Sequence, residues 1–370
     1  MPATPKRICL ISVEIFAWGK YGGFGKAMRI IGRELVKRGY EVYAVVPRRK
    51  GQQAEEELDG IHVLSFKTAE TLTSGHLYKK INADIYHSCE PTMGTWLAMQ
   101  AVPNAVHIVT SRDPKETHDW WTEFSHPSKS RLQVIKNYLY ENNFLVRKAV
   151  RQADAVFVPA KFLIPKVHSI YKLKSEVHFL PTPTEIPDVT VKSSQPVVLY
   201  MGRIDKRKRP EMTLELAQHF PHILFKVAGK AREPEYEIQL REQYKEQSNI
   251  EFLGFVNQFE GDTHHRLLAE AWIHINTAAR EGLPNSFIEA AGHHCAILSY
   301  VNPESFASRF GYHAAQNNFR EGLEWLLSDQ NWQMKGKLGH DYVQSVYGLE
   351  AAMNEHEKVY HQYFRRHGGQ

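Results

Sequence analysis

Residues 7–46, RICLISVEIFAWGKYGGFGKAMRIIGRELVKRGYEVYAVV, predict a strand, a glycine-rich loop, a helix and a second strand. The apolar run Arg7–Val13 has the length of a strand, and apolar residues at helical spacing follow from Lys26 to Arg38. Gly39 is placed to end that helix, and Glu41–Val46 is strand-like again. A βαβ unit of this kind implies a parallel sheet with helices on both faces.

The same alternation restarts at Pro196 and defines a second domain. Strand-like runs separated by helical stretches lie at 197–201, 223–228, 250–253, 272–276 and 296–300. The polar, proline-rich residues 181–196 between the two series are typical of a linker. We therefore expect two doubly wound, Rossmann-like α/β domains that face each other across a cleft, with the first at 1–188 and the second at 189–348.

Composition narrows the class of protein. The 370 residues are 42% hydrophobic and 24% charged, and no apolar run reaches the roughly 18 residues of a membrane span. The N-terminal residues lack the apolar region of a signal peptide, and three well-separated cysteines are typical of the reducing cytoplasm. A net charge of +5 suits anionic ligands but is too mild to indicate nucleic-acid binding.

Two glycine-containing loops follow predicted strands and could hold phosphate. Residues 21–26, YGGFGK, open the first helix, where backbone N–H groups favour an anion, and a plain tight turn between strand and helix is the open alternative. In the second domain, Gly202 precedes Arg203, and Lys208 follows; arginine and lysine both bind phosphate. The neighbouring Lys206, Arg207 and Arg209 are expected to be solvated.

Residues 281–289, EGLPNSFIE, place two carboxylates around a turn and a helix start. The backbone N–H groups of Asn285 and Ser286 would favour an anion, and Glu281 and Glu289 would accept hydrogen bonds from hydroxyl groups. A nucleotide-sugar is an anion rich in hydroxyls. For Glu289 an alternative remains open, a capping box in which Ser286 is the N-cap residue.

Polar residues also follow predicted strands of the first domain, in 84–91 (DIYHSCEP) and 111–114 (SRDP). A lone histidine such as His87 is more often structural than catalytic. The sequence has no His-Glu-x-x-His motif, no Cys/His cluster and no Asp-x-Asp, so neither a metal nor another cofactor is expected.

In order and spacing, these motifs resemble the GT4 family of retaining glycosyltransferases, which has the GT-B fold. The segments that carry the resemblance are Gly22-Gly23-x-Gly25, Asp84-x-x-His87-x-x-Glu90-Pro91, Gly202-Arg203 with Lys208, 252–256 (FLGFV), and Glu281 followed eight residues later by Glu289. In the family a last helix returns to the first domain, and residues 349–366 have the pattern for it.

The resemblance implies a hexosyltransferase that moves a sugar from a nucleotide diphosphate, such as UDP-glucose, to an acceptor hydroxyl with retention of configuration. Arg203 and Lys208 would stabilise the leaving diphosphate, Glu281 would contact a sugar hydroxyl, and Glu289 would bind the ribose. The other implied donor contacts are Gly22, Gly23, Phe255, Val256, Leu283, Asn285 and Ser286. Candidate sugar or acceptor contacts are His87, Cys89, Glu90 and Arg112, although Cys89 stands where the family has a second histidine.

The expected partners are a nucleotide-sugar and an acceptor in polysaccharide, glycolipid or other glycoconjugate biosynthesis, in the cytoplasm. The helical stretch 128–151 is basic, so contact with the inner membrane face is a further expectation, beside a merely solvated helix face. Two other classes stay open: a nucleotide-sugar epimerase or phosphorylase with the same fold, and a nucleotide-binding scaffold without catalysis.

Overall fold

The computed structural model describes residues 6–188 and 190–367, which form two compact units. Unit 1 contains the chain up to Glu116, residues 137–183 and the chain from Leu349 onward. Unit 2 contains residues 117–136 and 184–348. The chain therefore passes from one unit to the other four times.

The strands and helices follow one another in the alternating order expected of such units. The strands are β1 Arg7–Ile11, β2 Glu41–Pro47, β3 Glu55–Leu58, β4 Ile61–Phe66, β5 Ile85–Ser88, β6 Val106–Thr110, β7 Ala155–Val158, β8 Val177–Phe179, β9 Val197–Met201, β10 Leu224–Ala228, β11 Ile250–Gly254, β12 Ile273–Asn276, β13 Ala296–Ser299 and β14 Gly311–His313. The helices are α1 Gly23–Lys37, α2 Gly75–Ile81, α3 Met93–Ala101, α4 Thr117–Ser125, α5 Arg131–Glu141, α6 Phe144–Gln152, α7 Leu163–Tyr171, α8 Pro210–Gln218, α9 Pro234–Gln243, α10 Thr263–Glu270, α11 Asn285–Gly292, α12 Phe306–Phe310, α13 Phe319–Leu327, α14 Asn331–Val346 and α15 Leu349–His367. Short 3₁₀ turns lie at Thr68–Thr73 and Pro303–Ser305.

Unit 1 is built on a sheet in the order β3-β4-β2-β1-β5-β6-β7-β8. Its strands pair in parallel, except that β3 runs antiparallel to β4. Successive side chains of a strand point to opposite faces, and β1 shows it: Ile8 and Leu10 pack into one apolar cluster, while Cys9 and Ile11 pack into another. Helices α1 and α15 cover the first face, and α2, α3 and α6 cover the second.

Helix α15 contributes to the core of unit 1. Met353 and Tyr360 are fully buried in the cluster that contains Ile8 and Leu10, and Phe364 stacks on Tyr40 with ring centroids 6.1 Å apart. Helix α15 thus covers one face of the sheet that contains β1.

Unit 2 has a parallel sheet in the order β11-β10-β9-β12-β13-β14. The first strand, β9, pairs with β10 on one side and with β12 on the other, so the order reverses between β9 and β12. Ligands of open α/β sheets bind at such a reversal, beyond the carboxyl ends of the strands. Both units confirm the prediction of doubly wound, Rossmann-like α/β domains.

The single long helical stretch predicted for 128–151 is wrong in detail, because two helices cover it. Helix α5 ends at Glu141, and α6 begins at Phe144 after an Asn-Asn pair. The Asn143 side chain accepts a hydrogen bond from the backbone N–H of Leu145 at 2.7 Å. An asparagine N-cap satisfies an orphan donor of the new helix, which explains the break.

Candidate functional site

The loops that follow β9 and β12 lie at the reversal point of the unit 2 sheet. The first loop carries Gly202, Arg203 and Lys208, and the second carries Glu281 and leads to α11. Two motifs that are 73 residues apart in sequence are therefore brought to one edge of the sheet, because their strands are direct neighbours.

An ion pair between Lys208 and Glu281 joins these two loops. The Lys208 side chain is 18% exposed and the Glu281 side chain 14%, so the pair is largely buried but still reaches solvent. The backbone is fixed as well: the N–H of Lys208 donates to Asp205 Oδ1 at 3.1 Å, and the Thr277 hydroxyl donates to the Lys208 carbonyl at 2.8 Å. The lysine and the glutamate thus stand at defined positions.

Arg203 is the more accessible cation of the site. Its side chain is 41% exposed, and Nη1 lies 3.8 Å from Oδ2 of the buried Asp205. The Tyr200 hydroxyl donates to the Arg203 carbonyl at 2.8 Å, which fixes the main chain while the guanidinium reaches the surface. Such a group can bind a phosphate through two parallel hydrogen bonds.

A close approach of two strand ends shapes this loop. The N–H of Gly202 donates to the Ala228 carbonyl at 3.0 Å, and a Cβ atom on Gly229 would lie 1.8 Å from the Gly202 carbonyl oxygen. Only a glycine at position 229 allows the loops after β9 and β10 to pack this closely.

The prediction that Arg207 and Arg209 are solvated is wrong, whereas Lys206 is exposed as predicted. Arg207 Nη1 donates to Glu123 Oε1 of α4 at 2.8 Å, and Arg209 Nε donates to the Thr277 carbonyl at 2.6 Å. The guanidinium of Arg209 also lies over the Tyr300 ring, 4.3 Å from its centroid. Both arginines are therefore structural.

The carboxylates of α4 also bind Arg280, the residue before Glu281. Arg280 Nε lies 3.0 Å from Asp119 Oδ1, and Nη1 lies 3.2 Å from Glu123 Oε1. Glu123 thus bridges Arg207 and Arg280, each of them next in sequence to a member of the Lys208–Glu281 pair. Sequence analysis missed this network, since Glu123 is 84 residues from Arg207 and 157 from Arg280.

The capping-box alternative for Glu289 is wrong, because α11 starts two residues too early for it. Pro284 is the N-cap residue, Asn285 begins the helix, and no side chain caps it. The Ser286 hydroxyl lies 3.2 Å from His274 Nε2, and Glu289 Oε2 lies 3.1 Å from His264 Nε2. Glu289 is therefore buried against a histidine.

The remaining predicted donor contacts of unit 2 flank this helix and β11. Leu283 is half-buried in the turn before α11, and Asn285 is half-buried at its first position. Phe255 directly follows β11 and is 43% exposed, while Val256 beside it is half-buried. An exposed aromatic ring at a sheet edge offers a face for stacking.

In unit 1, the predicted phosphate loop holds a carboxylate of the protein itself. Helix α1 begins at Gly23 with Gly22 as N-cap, and the N–H of Gly25 donates to Glu14 Oε1 at 3.1 Å. The other oxygen of Glu14 pairs with Lys20 at 3.3 Å. A Cβ atom on Gly22 would lie 1.9 Å from Glu14 Oε1, so this glycine makes room for the carboxylate. Glu14 and Lys20 both precede the loop closely in sequence, and that proximity was the available signal.

The polar residues predicted at the strand ends of unit 1 are mostly internal. His87 is fully buried, with Nδ1 2.7 Å from the Tyr360 hydroxyl and Nε2 2.7 Å from the Thr110 hydroxyl. This placement favours the structural alternative for His87. Cys89 is fully buried too, and burial raises the pKa of its thiol to about 11.

Glu90 and Arg112 stand together. The backbone N–H of Arg112 donates to Glu90 Oε2 at 2.8 Å, while the Arg112 guanidinium donates to the Cys89 carbonyl at 2.9 Å and to the Thr182 hydroxyl at 2.7 Å. Burial raises the pKa of Glu90 to about 8. A carboxyl group that titrates near neutral pH is a candidate for proton transfer.

Acid is expected to destabilise unit 2 through His274. Burial lowers the pKa of His274 to about 4, and its Nδ1 donates to the Leu199 carbonyl at 3.1 Å. The unfolded chain therefore binds a proton that the folded state excludes, so stability falls as the pH drops from about 6.5 to 4. The full effect is about 3 kcal/mol per such histidine. Urea unfolding at pH 7 and at pH 4.5 measures the difference in unfolding free energy. The His274→Asn variant keeps a donor for the Leu199 carbonyl but does not titrate, so its stability should depend less on pH. An unchanged pH dependence in this variant would contradict the role of His274.

Among residues 6–188 and 190–367, no helix combines the length and the apolar content needed to cross a bilayer.

Comparison with known proteins relates both units to sugar-transferring enzymes. Residues 182–341 match the family model "Glycosyl transferases group 1", and residues 7–134 match the model "Starch synthase catalytic domain". No curated protein sequence matches the chain significantly.

Solved structures resemble the whole chain at low sequence identity. Sucrose-phosphate synthase from Thermosynechococcus elongatus is 16% identical with a TM-score of 0.73, over 98% of this chain and 100% of that one. HepE from Anabaena, solved in complex with UDP-glucose, is 12% identical with a TM-score of 0.67, over 96% and 99%. WaaG, a glycosyltransferase involved in lipopolysaccharide biosynthesis, is 15% identical with a TM-score of 0.69, over 95% and 99%. Residues 182–341 are therefore similar to the group 1 glycosyl transferases, and the chain has the GT-B fold.

Proposed function

We propose that the protein is a retaining hexosyltransferase that transfers a sugar from a nucleotide diphosphate, a UDP-sugar such as UDP-glucose, to an acceptor hydroxyl. The observation that carries the proposal is the group formed by Arg203, Lys208 and Glu281 at the reversal point of the unit 2 sheet. The UDP-glucose complex of HepE, which has the same fold, supports the choice of donor.

Sugar transfer from a nucleotide diphosphate requires a site that stabilises the leaving diphosphate. Positive groups that are held in place before the reaction stabilise developing charge most effectively. An ammonium has three N–H donors, so Lys208 can bind Glu281 and a phosphate oxygen together. Arg203 would add two parallel donors from its exposed guanidinium. With this much positive charge, we propose that transfer needs no metal ion, and we expect EDTA to leave the rate unchanged.

The second carboxylate and its helix would bind the rest of the donor. Glu289 would accept hydrogen bonds from the ribose hydroxyls, Glu281 would contact a sugar hydroxyl, and the start of α11 at Asn285 and Ser286 would favour the phosphates. Phe255 and Val256 would lie against the base, and Leu283 beside the sugar. Gly22 and Gly23 remain predicted donor contacts, and His87, Cys89, Glu90 and Arg112 remain predicted sugar or acceptor contacts.

We propose that the leaving phosphate accepts the proton of the acceptor hydroxyl, so that the sugar is delivered with retained configuration. The acceptor would belong to polysaccharide, glycolipid or another glycoconjugate pathway of the cytoplasm. Contact with an anionic membrane face stays a prediction for α5, where Leu132 is 61% and Leu139 63% exposed beside the exposed cations Arg131 and Lys136. Exposed apolar side chains next to basic ones suit such a surface.

A thermal-shift screen of nucleotide-sugars tests the proposal. A ligand that binds only the folded protein stabilises it by about 2.7 kcal/mol at a hundredfold excess over Kd. We expect UDP-sugars to raise Tm with or without EDTA, and the labelled sugar to appear on an acceptor or on water. If no nucleotide-sugar shifts the Tm of the protein, the proposal is contradicted. NMR of the product shows whether the anomeric configuration of the sugar is retained.

A further inference from the structure

A histidine on α10 contacts one of the carboxylates of the site. His264 Nε2 lies 3.1 Å from Glu289 Oε2, and both side chains are buried, at 7% and 8% exposure. We propose that His264 is a positioning residue that orients the Glu289 carboxylate toward the ribose hydroxyls of the nucleotide. This inference rests on the proposed function, since it assigns a support to the predicted ribose-binding carboxylate.

The bond direction follows from the chemistry of the two groups. An ionised carboxylate only accepts hydrogen bonds, so the imidazole donates through Nε2–H. A carboxylate offers about four acceptor positions, so one bond from His264 fixes the side chain without saturating it. Two neighbouring hydroxyls of a ribose are donors of the matching kind.

A second histidine pair holds the backbone of the same residue. His293 Nδ1 lies 2.7 Å from the Glu289 carbonyl oxygen, which can only accept, so Nδ1 carries the proton. Burial lowers the pKa of His293 to about 4, so the ring is neutral and Nε2 must accept. His265 Nδ1, 3.2 Å away, is then the donor to it. Adjacent residues of α10 therefore act on the side chain and, through His293, on the main chain of Glu289.

The contacts of His264 and His293 both converge on Glu289, a residue that α11 does not need in order to form. Glu289 is not the N-terminal cap of α11. Removing a carboxylate from water costs free energy. At a position that served packing alone, an apolar side chain would therefore give a more stable protein. The arrangement is that of a charged group kept inside the protein and aimed by its neighbours.

The test compares UDP with 2′,3′-dideoxyuridine diphosphate, which lacks the ribose hydroxyls, by isothermal titration calorimetry. We expect the wild-type protein to bind UDP about tenfold more tightly than the dideoxy analogue, because the analogue cannot form the hydrogen bonds to the charged carboxylate. In His264→Leu this ratio should fall to near one, because Glu289 loses its orientation. His264→Gln, whose amide can donate to the carboxylate, should restore the ratio.

His340→Leu is the matched control. His340 Nδ1 lies 2.8 Å from the Gly292 carbonyl at the end of the same helix. It should keep the full ratio. If His264→Leu does not fold, His264→Asn takes its place, since its shorter amide falls short of the carboxylate and the ratio should again be lost.

A folded His264→Leu or His264→Asn protein with the wild-type ratio overturns this inference and leaves the proposed function standing. A loss of the ratio in His340→Leu as well would also overturn it, because any disturbance of α11 would then suffice. If UDP, ADP and GDP all fail to bind the wild-type protein, the proposed function itself falls, and the role of His264 with it.

Discussion

Replacement of Lys208 by alanine is expected to lower kcat/KM for sugar transfer by about a thousandfold or more, corresponding to ~4 kcal/mol of transition-state stabilisation. The ammonium would be lost at the point where the leaving diphosphate gains charge, and the Glu281 carboxylate, whose side chain is 14% exposed, would lose the cation that it pairs with. Glu281→Ala should be similarly inactive, since Lys208 would lose the group that fixes its position. Initial rates with labelled donor over a range of concentrations give the values.

The fold should survive the change at Lys208. The loop is also held by main-chain hydrogen bonds to Asp205 and from Thr277, which do not involve the lysine side chain. Lys206→Ala is the matched control, because Lys206 carries the same charge on the same loop but is exposed. Transfer at the wild-type rate by folded Lys208→Ala, or an equal loss in Lys206→Ala, would remove the basis of the proposed function.

The second large effect is expected from Gly229→Ala. The new Cβ atom would lie 1.8 Å from the backbone oxygen of Gly202, and a main-chain atom cannot rotate away as a side chain can. The loops after β9 and β10 must then separate, which breaks the bond from Gly202 to Ala228 and displaces Arg203. We expect a loss of about 3 kcal/mol in stability, together with loss of UDP binding. Urea unfolding and calorimetry measure the two.

Gly202→Ala is the control for the stability effect. Its Cβ atom would meet nothing nearer than the Tyr200 hydroxyl at 3.7 Å, an ordinary contact distance. Its unfolding free energy should stay within about 0.5 kcal/mol of the wild-type value. Equal stability of the two alanine variants would show that the close approach of the strand ends is not the reason for the glycine.

The fold was largely predictable because its signals are local. The run from β1 through α1 to β2, and the restart at β9, follow from apolar spacing and from Gly39 and the prolines of the linker. The Lys208–Glu281 pair was predictable only in outline. Motif order placed both residues at strand ends, but their contact depends on β9 and β12 being neighbours, which no local pattern encodes.

The residues that sequence analysis missed are those whose partners lie far along the chain. His264 is 25 residues from Glu289, and neither its spacing nor its surroundings distinguish it from the other histidines. Arg207 lies in a basic run whose pattern predicts solvated side chains, but in the structure it donates a hydrogen bond to Glu123 of α4. In the same way, the pattern of 286–289 fits a capping box, but the helix begins at Asn285, after Pro284. Local patterns cannot weigh the tertiary contacts that decided each of these cases.

The place of α15 in the core of unit 1 has a consequence for how the protein is made. Synthesis on the ribosome delivers β1 long before Tyr360, yet the two belong to one apolar cluster. One face of the early sheet therefore stays incompletely covered until α15 has been made, whereas residues 184–348 can assemble beforehand. A nascent chain halted before Leu349 would thus expose that face of the unit 1 sheet to chaperones and proteases.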